Sequence, residues 1–144
     1  MSVHEVASAG TSIWLDDLSR AKITGTDAHS LPSRILNSGV VGVTTNPSIF
    51  SSAISGAAEY SADIAAMKGA TVDDVVKKLT TDDVRQACDL FAPIFSSSKG
   101  FDGRVSIEVD PRLARDTDGT IAAGKELWAI VDRPNVMIKV PATI

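Results

Sequence analysis

Four short runs of strand-forming residues alternate along the chain with segments of helical pattern. The runs are "SIWLD" at 12–16, "VVGVTTN" at 40–46, "GRVSIEVD" at 103–110 and "NVMIKVPAT" at 135–143. This alternation predicts βα units, in which the strands form a parallel sheet and the helices cover it. The chain has 144 residues, 44% of them hydrophobic and 22% charged, which suits one globular domain with a real core.

The segments between the strands carry recognisable helix signals. Pro47 stands at a plausible first helical position, and a helical pattern follows it as far as a glycine stop. The stretches "TVDDVVKKL" and "TDDVRQACDLFAPIF" each begin with threonine and early aspartates, so we predict two short helices in series. In the second, Val84, Cys88, Phe91 and Phe95 have the spacing of one buried helix face, which places Cys88 in the core.

Composition and charge exclude several classes of function. The net charge is -4 and no basic run is present, so nothing favours binding to nucleic acid or to an anionic membrane. The N-terminus lacks the features of a leader, and no stretch reaches the ~20 apolar residues of a membrane span, so we expect a cytoplasmic protein. The single cysteine excludes an intrachain disulfide and a cysteine cluster for zinc.

Each of the four strand candidates carries a polar or reactive side chain near its C-terminal end. These residues are Asp16, then Thr44 and Asn46, then Glu108, and finally Lys139. In parallel α/β sheets and barrels the substrate crevice lies outside the carboxyl ends of the strands. The positions therefore predict one shared site.

Most of these residues also have a purely structural interpretation. Asp16 is suited to capping the helix after it, and in a turn at 44–47 the Asn side chain would bond the next backbone N–H groups. Glu108 is placed to form a surface ion pair with Arg112 or Arg104. The sequence alone leaves these alternatives open.

Lys139 stands in a run, Val136 to Val140, that is apolar at both alternating sets of positions. A lysine that protects an exposed sheet edge is one explanation, but a solvated edge is expected to alternate. Apolar surroundings lower the pKa of a lysine, which leaves some neutral amine to attack a carbonyl and form a Schiff base. The iminium would stabilise a carbanion while Asp16 and Glu108 divide the proton transfers.

The chain resembles the N-terminal part of a transaldolase. The stretches "SIWLDDLSR", "GVVGVTTNPSIF", "VSIEVDPRLARDTDGTIAAGKEL" and "NVMIKVPAT" carry the resemblance, in that order and over nearly the whole chain. The resemblance implies a (β/α)8 TIM barrel, of which this chain would supply about four βα units in one partial domain. It also implies transfer of a dihydroxyacetone unit from a ketose phosphate to an aldose phosphate in the pentose phosphate pathway, without a metal or organic cofactor.

The resemblance assigns a role to each strand-end residue. Lys139 of "IKVPAT" would be the Schiff-base nucleophile, and Asp16 would act as acid and base on the hydroxyl next to the broken bond. Glu108 would work through a bound water in formation and breakdown of the carbinolamine and imine. Thr44 would help to hold that water, and Asn46 would hydrogen-bond the dihydroxyacetone part of the substrate.

A complete barrel of this kind has eight strands and ~250 residues or more. The resemblance places the residues that grip the substrate phosphate outside this sequence, so we expect the isolated chain to be inactive without the rest of the barrel. The first and fourth strands would be open edges, which favours self-association or pairing with a missing C-terminal half. Two other hypotheses are a related Schiff-base aldolase, which releases the fragment, and a non-catalytic half-barrel that self-associates.

Overall fold

A computed structural model describes residues 2–143 and contains one sheet of four parallel strands. The strands are β1 (Ile13–Asp16), β2 (Val40–Thr44), β3 (Arg104–Glu108) and β4 (Val136–Lys139). They lie side by side in chain order, β1-β2-β3-β4, and all three pairs are parallel. The predicted βα organisation is confirmed, and the order is that of four successive strands in a (β/α)8 barrel.

Helices lie before and between the strands, and the longest of them pack on one face of the sheet. They are α1 (Val3–Ser8), α2 (Arg20–Thr24), α3 (Leu31–Ser38), α4 (Pro47–Ile54), α5 (Ser61–Ala66), α6 (Val72–Ser97) and α7 (Thr117–Val131), with 3-10 turns at Ala58–Tyr60 and Pro111–Leu113. Pro47 is the first residue of α4, as the sequence predicts. Between residues 2 and 143, no helix is both long enough and apolar enough to cross a membrane.

The prediction of two short helices in series is wrong, because α6 is one helix of 26 residues. Thr81, at which the sequence predicts the start of a second helix, and its neighbour Thr80 donate their hydroxyl protons back to the carbonyl oxygen of Lys77 at 2.7 and 3.2 Å. The two hydroxyl groups are therefore hydrogen-bonded without any break in the helix. Leu79 and Val84 are fully buried on either side of this point, and their burial favours a continuous helix.

The hydrophobic core lies between the sheet and the helices that cover it. From the strands it contains Val43, Val105, Ile107 and Val136, and from α6 and α7 it contains Val84, Ala87, Cys88, Phe91, Leu127 and Val131. The predicted burial of Cys88 is confirmed, since its exposed fraction is 0%. Burial raises the pKa of the Cys88 thiol to about 12.

Two small residues allow the strands to pack closely. Gly42 of β2 lies under the indole of Trp14, and a Cβ atom at position 42 would come within 2.5 Å of that ring. Gly103 begins the approach to β3 with φ at +77°, a left-handed conformation that favours glycine, and its N–H donates to the Val41 carbonyl at 2.7 Å. Because Gly42 has no side chain, the Trp14 indole can lie over β2, where it covers part of the sheet face that the helices leave open.

A buried polar cluster holds the segment after β1. The Asp83 carboxylate of α6 is fully buried, accepts from the Tyr60 hydroxyl at 2.6 Å and pairs with Arg20 Nε at 3.0 Å. Tyr60 in turn accepts from the Arg20 backbone N–H at 2.9 Å. Desolvation raises the pKa of Asp83, and desolvation followed by the hydrogen bond to Asp83 raises that of Tyr60. The cluster joins α2, the 3-10 turn at 58–60 and α6.

We predict that Cys88 of the native chain reacts with a thiol-specific disulfide reagent roughly a thousandfold more slowly at pH 8 than a free cysteine. The reason is that a thiol with the raised pKa holds far less thiolate than an ordinary one. Absorbance of the released thiol measures the rate, and the chain unfolded in denaturant is the control. Native reaction at the rate of the unfolded chain would contradict the packing of α6.

Candidate active site

The predicted site residues of the four strands lie on the sheet face opposite the helices. Ile13 and Leu15 pack against the core, so Trp14 and Asp16 point to the other face. The same alternation places Thr44, Ser106, Glu108, Met137 and Lys139 on that face, because their strand neighbours belong to the core. Asp16 pairs in register with Thr44, and Glu108 pairs with Lys139.

Lys139 lies between two oxygen acceptors. Its Nζ is 3.0 Å from Glu108 Oε2 and donates to the backbone carbonyl oxygen of Thr45 at 3.1 Å. The Lys139 side chain is 40% exposed, whereas that of Glu108 is 14% exposed. The strand register brings these residues together, since they occupy directly opposite positions on β3 and β4.

The alternative in which Glu108 forms a surface ion pair with Arg112 or Arg104 is wrong. Arg112 instead binds Asp110 and Asp73, and the Asp110 contact lowers the pKa of that carboxyl group. Arg104 Nε donates to the Gly100 carbonyl at 2.8 Å.

Lys139 is less enclosed than the apolar run around it suggests. Within residues 2–143, β4 pairs with β3 alone, and Met137 and Val140 are 42% and 52% exposed, while Val136 is buried against the helices. β4 therefore carries apolar side chains on both faces, but in the described chain nothing packs on one of the two faces. That Lys139 protects a sheet edge stays an untested alternative, and its amine contacts Glu108 and Thr45.

Asp16 ends β1 with an exposed side chain on the open face. The alternative that it caps the next helix is wrong, because Ser19 is the N-cap of α2 and accepts from the Lys22 backbone N–H. Within residues 2–143 the Asp16 carboxylate has no hydrogen bond or ion pair. This carboxylate is thus available to a bound molecule.

Asn46 caps α4, as the turn interpretation predicts. Its Oδ1 accepts from the Ile49 backbone N–H at 2.9 Å, which fixes the orientation of the amide group. The Nδ2 donor has no partner among residues 2–143. Asn46 and Glu108 also line a cavity of about 680 Å³ between α4, α6 and α7, so open space adjoins the strand ends.

Ser106 and Thr45 belong to the same cluster and were missed by sequence reasoning. Ser106 Oγ donates to Thr44 Oγ1 at 3.1 Å and accepts from the Thr45 backbone N–H at 3.2 Å. Thr45 Oγ1 donates to the Ser106 carbonyl at 2.7 Å. One sequence signal was available, since Ser106 precedes Glu108 by two positions and so shares its face.

The cluster has the components of amine chemistry on a carbonyl compound. An amine nucleophile has a carboxylate within hydrogen-bond distance, which allows Glu108 to exchange protons with Lys139 or with a water beside it. A second carboxylate, Asp16, stands at the opposite edge of the sheet. Hydroxyl and amide groups of Thr44 and Asn46 lie between the two edges on β2 and just after it.

Comparison with known proteins places the chain in one family. The sequence model of the Transaldolase/Fructose-6-phosphate aldolase family matches residues 13–144. A transaldolase of Mycolicibacterium smegmatis is 56% identical over 141 residues, which cover 96% of this chain and 37% of the relative. A transaldolase of Arthrobacter sp. is 55% identical over 144 residues, or 98% of this chain and 38% of the relative. The chain thus spans little more than a third of the length of these relatives.

We predict that Glu108→Gln changes the free energy of unfolding by less than about 1 kcal/mol. The pair with Lys139 is partly exposed, and solvent screens most of its contribution to stability. Chemical denaturation followed by tryptophan fluorescence measures the change, with Lys78→Ala, in an exposed pair with Asp82, as the control. A loss of several kcal/mol would show that Glu108 has a structural role that these contacts do not explain.

Proposed function

The chain belongs to the transaldolase/fructose-6-phosphate aldolase family, and from this premise we propose that it carries the Schiff-base machinery of a transaldolase. The substrates would be a ketose phosphate donor and an aldose phosphate acceptor, as in the pentose phosphate pathway. One observation carries the proposal: Lys139 Nζ lies 3.0 Å from the Glu108 carboxylate at the carboxyl ends of two parallel strands.

In the proposed first half-reaction, the neutral amine of Lys139 attacks the carbonyl carbon of the ketose. The resulting carbinolamine loses its hydroxyl group as water, and the nitrogen becomes an iminium. Glu108, working through a water molecule, supplies the proton that the departing hydroxyl needs and takes protons from the nitrogen. The 3.0 Å separation of Nζ and Oε2 supports this role, because it lies within the reach of proton exchange.

In the proposed second step, the bond between the α and β carbons of the iminium breaks. Asp16 takes the proton of the hydroxyl on the departing carbon, which leaves as an aldehyde, and the electron pair moves into the iminium to form an enamine. The enamine then attacks the acceptor aldehyde, and Asp16 returns the proton to the new hydroxyl. The exposed carboxylate of Asp16 at the end of β1 supports this assignment.

We assign substrate and water binding to the residues of β2 and the turn after it. Thr44 would hold the water used by Glu108, and the free Nδ2 of Asn46 would donate to a hydroxyl of the dihydroxyacetone unit. Capping of α4 supports the second assignment, because it fixes Oδ1 and leaves only the donor side of the amide available.

Partners are also part of the proposal. The relatives are more than twice as long as the matched region, and we propose that further strands cover the open face and bind the substrate phosphate. Within residues 2–143, β1 and β4 each have a strand neighbour on one side only, and Met137 of β4 is exposed to solvent. Pairing with a C-terminal half or with a second copy would bury this face.

We predict that dihydroxyacetone or fructose 6-phosphate, with borohydride as reductant, adds a stable adduct to Lys139. Imine formation requires only the amine and its neighbours, so we expect the first step even where transfer needs the remaining barrel. Intact mass and peptide mapping locate the adduct. Lys139→Ala should abolish it, whereas Lys125→Ala, which removes an exposed lysine of α7, should not.

An unmodified Lys139, or equal labelling of many lysines, would contradict the proposal. The products made from fructose 6-phosphate distinguish the two activities of the family wherever turnover is seen. Transfer to erythrose 4-phosphate identifies a transaldolase, whereas release of free dihydroxyacetone as the main product identifies an aldolase.

We predict that the chain associates in a concentration-dependent way, because its two edge strands and open face leave hydrogen-bonding and apolar groups uncovered. Sedimentation velocity over a wide concentration range measures this. A compact species of 15.1 kDa at every concentration would contradict the prediction.

A further inference from the structure

We propose that Ser106 is a positioning residue that makes Thr44 a hydrogen-bond donor to the bound substrate or water and fixes the backbone carbonyl that faces Lys139. The inference rests on the proposed function for its chemical meaning and on the contacts of Ser106 for its geometry. Ser106 is 6% exposed and lies on the open face of β3, between the strand that carries Thr44 and the strand that carries Lys139.

The first step concerns the direction of the hydrogen bond between two hydroxyl groups. The backbone N–H of Thr45 can only donate, and it donates to Ser106 Oγ at 3.2 Å. The one proton of the Ser106 hydroxyl then needs an acceptor, and within residues 2–143 that acceptor is Thr44 Oγ1 at 3.1 Å. The Thr44 hydroxyl therefore receives a proton from Ser106 and keeps its own proton for another partner.

The second step concerns where that remaining proton can be used. Thr44 is half-buried on the open face and pairs in register with Asp16. A donor at this position suits an oxygen that carries a lone pair, such as a water, a carbonyl oxygen or a sugar hydroxyl. The Thr45 N–H, Ser106 and Thr44 thus form a short chain whose donors all point in one direction, from the backbone toward the site.

The third step concerns the carbonyl group of Thr45. Thr45 is fully buried, and Ser106 holds it at two points, through the Thr45 N–H and through the Thr45 hydroxyl, which donates to the Ser106 carbonyl at 2.7 Å. This double contact fixes the Thr45 carbonyl oxygen, which accepts from Lys139 Nζ at 3.1 Å. Ser106 consequently sets one of the two acceptors of the lysine, and Glu108 supplies the other.

The two acceptors together orient the amine for attack. A neutral amine has two N–H bonds and one lone pair. When both N–H groups donate, one to Glu108 and one to Thr45, the lone pair occupies the remaining direction and is free to meet a carbonyl carbon. Loss of the Ser106 hydroxyl would loosen Thr45, and the amine would then sample orientations in which its lone pair is misdirected.

The test compares three variants of the chain. Ser106→Ala removes the hydroxyl, Ser106→Thr retains it, and Thr81→Val is the matched control, because it removes a different buried hydroxyl, 2.7 Å from the Lys77 carbonyl in α6. The rate of Lys139 trapping by dihydroxyacetone and borohydride is measured for each by intact mass. Hydrogen exchange and the proton chemical shift of the Thr45 amide are measured by NMR without any ligand.

We expect Ser106→Ala to trap about tenfold more slowly, which corresponds to the loss of one hydrogen bond of ordinary strength. The Thr45 amide should exchange faster and shift upfield, because it loses its acceptor. Ser106→Thr should restore both readouts to within about twofold of the parent chain, by keeping the hydroxyl that accepts and donates. Thr81→Val should leave both unchanged.

An unchanged Thr45 amide in Ser106→Ala, or trapping at the parent rate, would overturn the proposal. Equal slowing in Thr81→Val would overturn it as well, because the effect would then follow from lost stability alone. If the parent chain is not trapped at all, the proposed function fails while the NMR measurement still decides whether Ser106 holds Thr45. Should Ser106→Ala fail to fold, Ser106→Cys, with its weaker donor and acceptor, should give a smaller change in the same direction.

Discussion

The parallel register of the four strands is the constraint on which the site depends. Side chains alternate between the two faces of a strand, so a register fixed by the buried Val43, Val105 and Val136 also fixes which residues face away from the helices. A slip of one residue on β4 would turn Lys139 into the core and Ile138 out of it. The approach of Lys139 to Glu108 is thus a consequence of core packing on the opposite face.

Much of the fold could be predicted because local signals agreed with the tertiary structure. Each observed strand lies inside the run predicted for it, and the alternation of strands and helices predicts the parallel sheet. The break predicted in α6 is wrong because a threonine hydroxyl can hydrogen-bond the backbone either as a helix cap or inside a helix. Thr80 and Thr81 do so inside the helix. Only the burial of neighbouring residues on one continuous face decides between them.

The site was predictable only in part, for a related reason. The position of a residue at a strand end can be predicted from the sequence, so Asp16, Glu108 and Lys139 were identified, although their roles stay predictions. The partner of a side chain depends on long-range register, so the pairing of Glu108 with Lys139 and the contacts of Ser106 could not be predicted. The buried hydrogen bond between Tyr60 and Asp83 joins residues 23 positions apart, and no local sequence pattern predicts it.

The central claim is that Lys139 lies on the open face beside Glu108 and Thr45, and nuclear Overhauser effects from its side chain test this claim most directly. With the lysines labelled with carbon-13, the account predicts contacts from the Lys139 CεH2 protons to the Glu108 side chain and to Thr45. These contacts should be present without any ligand. Contacts to Ala123 or Leu127 of α7 instead would place the lysine on the helical face and contradict the register from which the site is built.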